Sequence, residues 1–140
     1  MIILDTNVLS ELMRAVPSQK VQRWVATRPS ASLFTTTVTQ AEILYGLALM
    51  PTGRRREQLE AAVQSMFEED LGGRVLPFDS AAASEFGALA ASRRQAGRPI
   101  AQFDAQIAAI ARSRGAALAT RNIGDFDGCG VQLFNPWNAP

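Results

Sequence analysis

The sequence contains no histidine, a single cysteine (Cys129) and a single lysine (Lys20). Without histidine there is no Ser-His or Cys-His nucleophile pair and no imidazole metal ligand, and one cysteine supplies neither a zinc cluster nor an internal disulfide. Lys20 lies in Ser-Gln-Lys-Val with no glycine-rich loop before it, and no Gly-x-Gly-x-x-Gly follows a strand, so the usual nucleotide-cradling loops are absent. Apolar runs are only a few residues long, far short of the ~20 needed to span a bilayer. Met1 to Asp5 carry no basic leader, so the expected compartment is the cytoplasm, with no membrane partner. Charge is sparse and balanced: 14 Lys plus Arg against 13 Asp plus Glu give a net charge of +1, which offers no broad attraction for a polyanion. What the chain does have is 47% hydrophobic residues in 140, enough for one domain over 1–140 that buries roughly two-thirds of its unfolded surface. For chemistry it is left with carboxylates.

Strand and helix signals alternate. Ile2-Ile3-Leu4 reads as a buried parallel strand that stops at Asp5-Thr6-Asn7, and Val8, Leu9, Leu12 and Met13 recur at helical spacing after it. A second helix carries Val21, Trp24 and Val25 before Pro29, and Ser32 to Thr36 is strand-like. Thr39-Gln-Ala-Glu42 has capping-box form and opens a helix that runs to Pro51; another is expected from about Arg54 to Glu69. Val75 to Phe78 forms a strand, Asp79 or Ser80 caps a helix ending at Gly97, and an alanine-rich helix spans about Ile100 to Arg114. Ala117 to Thr120 is strand, Arg121 to Gly130 loop, and Val131 to Phe134 a fifth strand. This alternation implies a mainly parallel sheet of about five strands covered by helices on both faces.

In such a sheet ligands bind beyond the carboxyl ends of the strands. Asp5 follows the first strand, Glu42 lies one turn into the next helix, Asp104 starts the last long helix, and Asp125 is in the loop after the fourth strand. Each has an ordinary structural role open to it: Asp5 as a helix cap, Glu42 in its capping box, Asp104 at a helix dipole, Asp125 in a turn. Brought together, like charges ~4 Å apart repel by about 4 kcal/mol at an effective dielectric of 20, so a converged set calls for a cation. Oxygen-only ligands select Mg²⁺ or Mn²⁺, ions suited to phosphodiester hydrolysis.

The ordered motifs Ile3-Leu4-Asp5-Thr6-Asn7-Val8-Leu9-Ser10-Glu11, Thr39-Gln-Ala-Glu42-Ile-Leu-Tyr45-Gly46, Asp104 within Ile100 to Ala109, Ala119-Thr120-Arg121-Asn122-Ile-Gly-Asp125-Phe126 and the closing Phe134-Asn135-Pro136-Trp137 resemble PIN-domain proteins of the VapC and FitB-like branch, toxins of type II toxin-antitoxin pairs. The likeness covers nearly the whole chain. It implies a three-layer α/β/α sandwich and a Mg²⁺- or Mn²⁺-dependent endoribonuclease whose metal is held by Asp5, Asp104 and Glu42, with Asp125 or Asn122 completing the pocket and Thr6, Asn7 and Thr120 supporting it. It also implies a cognate antitoxin that blocks the pocket, a homodimer, and DNA contact only through the antitoxin; Leu12 and Trp24 on the first helices are candidate docking residues, although Trp24 falls on its helix's apolar stripe. Arg54, Arg55, Arg56, Arg93, Arg94, Arg98 and Arg121 are candidates for RNA phosphates, because guanidinium forks bind phosphate oxygens bidentately. Two other readings stand beside this one: an inactive PIN-like binding module, and a hydrolase using Asp5 as a covalent nucleophile, which Asn7 disfavours by replacing the second acid of Asp-x-Asp. Cys129 reads as a small residue in a glycine-rich loop.

Overall fold

A computed structural model describes residues 1–139; Pro140, the last residue of the expected domain, lies outside the described residues. Five parallel strands, β1 (Ile2–Leu4), β2 (Leu33–Thr36), β3 (Val75–Leu76), β4 (Ala117–Ala119) and β5 (Leu133–Phe134), form one sheet in the order β3-β2-β1-β4-β5. β1 is central, with Ile3 opposite Phe34 of β2 and Leu118 of β4. Its short apolar run is what a strand buried on both faces requires. Successive residues serve opposite layers, as a pleated strand dictates. Ile3 and Leu118 join one core with α5 (Ser80–Gln95) and α6 (Gln102–Arg114), whereas Leu4 and Ala119 join the other with α1 (Thr6–Leu12), α2 (Gln19–Ala26) and α4 (Arg54–Ser65). α3 (Thr37–Ala48) gives Val38 to the first core and Ile43 and Leu47 to the second. The result is the expected three-layer α/β/α sandwich. The strand order reverses between β1 and β4, and in open parallel sheets such a switch point is where ligands bind.

Several local details differ from the sequence reading. The Thr39-x-x-Glu42 capping box does not form: the cap of α3 is Thr36, whose side chain accepts from Thr39 N at 3.1 Å, so Thr39 is a buried residue inside the helix. The helix expected from Arg54 to Glu69 stops at Ser65 and continues as a π-helical turn over Met66–Asp70, which seats Met66 and Phe67 in the core. α6 starts at Gln102 rather than Ile100, with Ala101 in extended backbone just before it, and ends on Gly115 at φ 62°, a left-handed position that favours glycine. The loop from Arg121 to Gly130 contains a short helix, α7 (Ile123–Phe126), that buries Phe126. β3 and β5 are also shorter than the apolar runs that suggested them. No helix among the described residues is long and apolar enough to cross a membrane.

Candidate active site

Asp5 sits where β1 ends. Its backbone N–H donates to Ala119 O at 2.9 Å, extending the β1–β4 pairing by one residue and fixing the side chain at the switch point. As expected of a cap, its Oδ1 accepts from Thr6 N at 2.8 Å; its Oδ2 accepts from the Thr120 hydroxyl at 2.8 Å and from Asn7 Nδ2 at 3.3 Å. Burial pushes the Asp5 carboxyl upward, the Thr120 and Thr6 bonds pull it back, and the charges of Glu42 and Asp125 push it up again; the net direction is raised. Asn7 is oriented from both ends, since its Oδ1 accepts from Arg121 N at 3.2 Å and its Nδ2 also reaches Thr120 Oγ1 at 3.3 Å. Thr120, fully buried, further accepts from Asn122 N at 3.1 Å.

On the neighbouring helix, Glu42 Oε1 lies 2.8 Å from the Thr6 hydroxyl, which is also 3.0 Å from Thr39 Oγ1. A hydroxyl carries one proton, so Thr6 donates to the carboxylate and accepts from Thr39. The buried Thr39 thereby orients Thr6, and Thr6 orients Glu42. Asp104, in the first turn of α6, joins the cluster from a different element. Desolvation, then the charges of Asp5 and Asp125, push its carboxyl up to about 6, with no hydrogen bond pulling it back. Asp125, exposed on α7, is felt electrostatically by both Asp5 and Asp104. Asn122 contributes its backbone N–H rather than a charge. The four acids therefore form one electrostatically coupled group, although among the described residues no three acidic side chains are arranged as a ready-made metal cage.

The arginine candidates divide. Arg93 is corrected: it is only 7% exposed, and its guanidinium donates to the carbonyls of Arg98, Asp125 and Asp127 and to Cys129 Sγ, so it braces the α7 loop instead of facing solvent. Cys129, the small residue of the glycine-rich loop, is buried in the core. Arg56 is held by Glu60 at 2.6 Å and Met50 O at 3.1 Å, and Arg98 pairs with Asp127 at 3.1 Å. Arg54, Arg55, Arg94 and Arg121 are exposed; only Arg121 is bonded into the Asp5 network. Trp24 is core, 6% exposed beneath Arg28 and beside Phe134, whereas Leu12 is half-buried. Sequence reasoning missed Thr39 as a positioning residue because its capping spacing pointed elsewhere. It also missed Glu11, a buried acid that closes the α1–α2 turn by accepting from Ser18 N at 3.0 Å.

With this geometry in hand, similarity to known proteins is decisive for the family. The PIN domain profile matches residues 2–127. The chain belongs to the PIN-domain family. All four acids lie within the matched part, and this PIN domain has relatives along its full length. VapC ribonuclease Y4jK of Sinorhizobium fredii is 39% identical over 137 residues, covering 98% of each chain. The crystal structure of FitAcB from Neisseria gonorrhoeae superposes with a TM-score of 0.93 at 33% identity, over 99% of this chain and 100% of that one. VapBC-5 from Mycobacterium tuberculosis, a member of the VapBC family of toxin-antitoxin systems, aligns over 94% of each chain at 27% identity and a TM-score of 0.65.

Proposed function

We propose that this PIN domain is the toxin of a type II toxin-antitoxin pair and acts as an endoribonuclease dependent on Mg²⁺, with Mn²⁺ able to replace it. The observation that carries the reading is the coupling of Asp5, Glu42, Asp104 and Asp125 at the β1–β4 switch point, where Asp5 and Asp104 are raised partly by the other acids. Such repulsion disfavours the folded protein unless a counter-charge is bound. The donors fit a hard divalent ion: they are carboxylate oxygens, with neither imidazole nor thiolate available. Asp5, Asp104 and Glu42 would hold it, and Asp125 is better suited than Asn122 to complete the pocket because it adds charge. When bound, such an ion acidifies water and offsets charge developing on phosphoryl oxygens.

The chain's own residues do the positioning. Thr120, Asn7 and the Thr6 backbone hold Asp5 in one orientation. Thr39 and Thr6 keep Glu42 turned inward as the group that orients water for in-line attack on phosphorus. The names of the relatives support the substrate and partner: one is a ribonuclease, another belongs to a toxin-antitoxin family. An antitoxin partner, a homodimer, a cytoplasmic location and DNA contact only through the antitoxin belong to the same proposal.

The test is a cleavage time course on defined RNAs, free of antitoxin, with EDTA, Mg²⁺ or Mn²⁺. Wild type should cut only with metal, and a folded Asp5→Asn protein should lose on the order of a hundredfold or more in rate. No cleavage of diverse RNAs by well-folded wild type would favour the inactive binding module, and equal rates in the two proteins would show the site to be misplaced.

A further inference from the structure

The net charge of +1 conceals a segregation. Residues 12–41 carry Arg14, Lys20, Arg23 and Arg28 but no Asp or Glu, and residues 128–140 carry no acid. Folding packs α2 against the turn Pro136–Asn138, and between them lies a cavity of about 400 Å³ bordered by Lys20, Arg23, Arg28, Asn135 and Asn138. Trp24 and Phe134, their ring centroids 6.0 Å apart, also line it. The Arg28 guanidinium lies 3.6 Å from the Trp24 centroid and donates to Trp24 O at 2.9 Å, so this cation is fixed before any ligand arrives. None of the ion pairs among the described residues involves Lys20, Arg23, Arg28 or Arg121.

This basic cavity is joined to the acidic crevice by a short chain of contacts. Asn135 borders the cavity and donates to Arg121 O at 3.4 Å; Arg121 N donates to Asn7; Asn7 donates to Asp5. The Arg121 guanidinium lies 5.1 Å from the ring centroid of Trp137, a residue of the same C-terminal turn that packs against α2. We propose that Arg121, Arg28, Arg23 and Lys20 form a track that binds the sugar-phosphate backbone of a single RNA strand on one side of the scissile phosphate, a site that rests on the ribonuclease reading above. The physical need is plain. Four acids repel a polyanion, the whole-molecule charge does not attract one, and affinity must come from cations placed beside the crevice rather than in it. Of the arginines named from the sequence, Arg93 is buried, Arg56 and Arg98 are paired, and Arg54, Arg55 and Arg94 are exposed with no bond into the Asp5 network, whereas Arg121 is bonded into that network and Arg28, Arg23 and Lys20 border the cavity beyond it. Asn135 and Asn138 add amide donors of the kind that meet phosphate oxygens.

The test uses the full chain in EDTA and a labelled RNA single strand of about 12 nucleotides, within the span such grooves cover. Binding is followed by fluorescence anisotropy across a salt series for wild type and the Lys20→Gln/Arg23→Gln double variant, whose replaced side chains are exposed. The double variant should bind roughly tenfold more weakly, and its slope of log affinity against log salt should shrink by about 1.4, or ~0.7 per lost phosphate contact. With Mg²⁺, KM for this RNA should rise at unchanged kcat, while cleavage of a dinucleotide, too short to extend to Lys20 and Arg23, should not change. If the double variant melts early, Lys20→Gln alone should give half the slope change. Equal affinity and slope in the two proteins, with wild type still cleaving, would overturn the track and leave the ribonuclease reading intact; a wild type that neither binds nor cleaves RNA would overturn both. In the same titration with a labelled DNA duplex, a loss of affinity confined to the duplex would make the surface a DNA contact and overturn the RNA track as well.

Discussion

The acidic cluster has two walls, the β1–β4 side that carries Asp5 and the α6–α7 side that carries Asp104 and Asp125, and they are built on opposite principles. On the β1–β4 wall Asp5 accepts three hydrogen bonds, two of them from residues that are themselves held from behind. On the α6–α7 wall Asp104 meets only desolvation and the charges of Asp5 and Asp125. The first wall fixes geometry at the cost of hydrogen-bonding groups placed in the core; the second leaves a carboxylate whose charge is balanced only by what binds. An arrangement of one oriented and one electrostatically frustrated carboxylate suits a site that must accept a cation without collapsing when it is absent.

Breaking the first wall should have the largest effect on the metal-free protein. Thr120→Val keeps the shape of a fully buried side chain but removes the donor to Asp5 Oδ2 and the acceptor used by Asn7 and Asn122. Losing a hydrogen bond to a buried charged group should lower unfolding stability by about 2 kcal/mol, read by urea denaturation. Because the Thr120 bond pulls the Asp5 carboxyl down, its loss should also shift the acid limb of the cleavage profile to higher pH. An unchanged profile would mean that Thr120 supports the fold without tuning Asp5.

The second wall should respond in the opposite sense. With its carboxyl raised from 3.8 to about 6, folded Asp104 keeps a proton that the unfolded chain has already released. The contribution of Asp104 to stability is therefore full below pH 3.8, declines between there and about 6, and is lost above. Metal-free Asp104→Asn should melt a few degrees above wild type at pH 7 and show a smaller difference near pH 4.5, measured in EDTA by thermal unfolding. It should also lose cleavage. On the proposed metal reading, saturating Mg²⁺ should stabilise wild type at pH 7 more than Asp104→Asn, because an ion held by carboxylates that only folding brings together stabilises the folded state.

The contrast between the walls also explains what could be read from the sequence. Asp5-Thr6-Asn7 after an apolar run announced the strand and the candidate site at its end, and periodic apolar residues located the helices, because burial repeats along the chain with the period of the element. Thr36 and Thr39 could not be told apart in that way: both precede a helix at capping distance, and only the packing of α1 against α3 made Thr39 a partner of Thr6. Arg93 misled for a related reason, since a cation normally solvated is here enclosed by carbonyls that sequence separates from it by more than thirty residues. The π-helical turn at Met66 is set by the need to seat Met66 and Phe67 together, a tertiary demand with no local signature.

The finest division within the first wall is between Asp5 and Glu42, and Thr6→Val probes it with the smallest expected effect. Thr6 is only half-buried, so losing its bond to Glu42 should cost about 0.5 to 1 kcal/mol, with water able to replace part of it. The backbone donor from Thr6 N to Asp5 remains in this variant, so Asp5 keeps its orientation while Glu42 is released. If Glu42 orients water, kcat should fall several-fold at nearly constant KM, and Thr6→Ser, which restores the hydroxyl, should recover most of it. If both variants instead cleave like wild type, the Thr39-Thr6-Glu42 relay is a helix contact, and the preorganised wall reduces to Asp5 with its three donors.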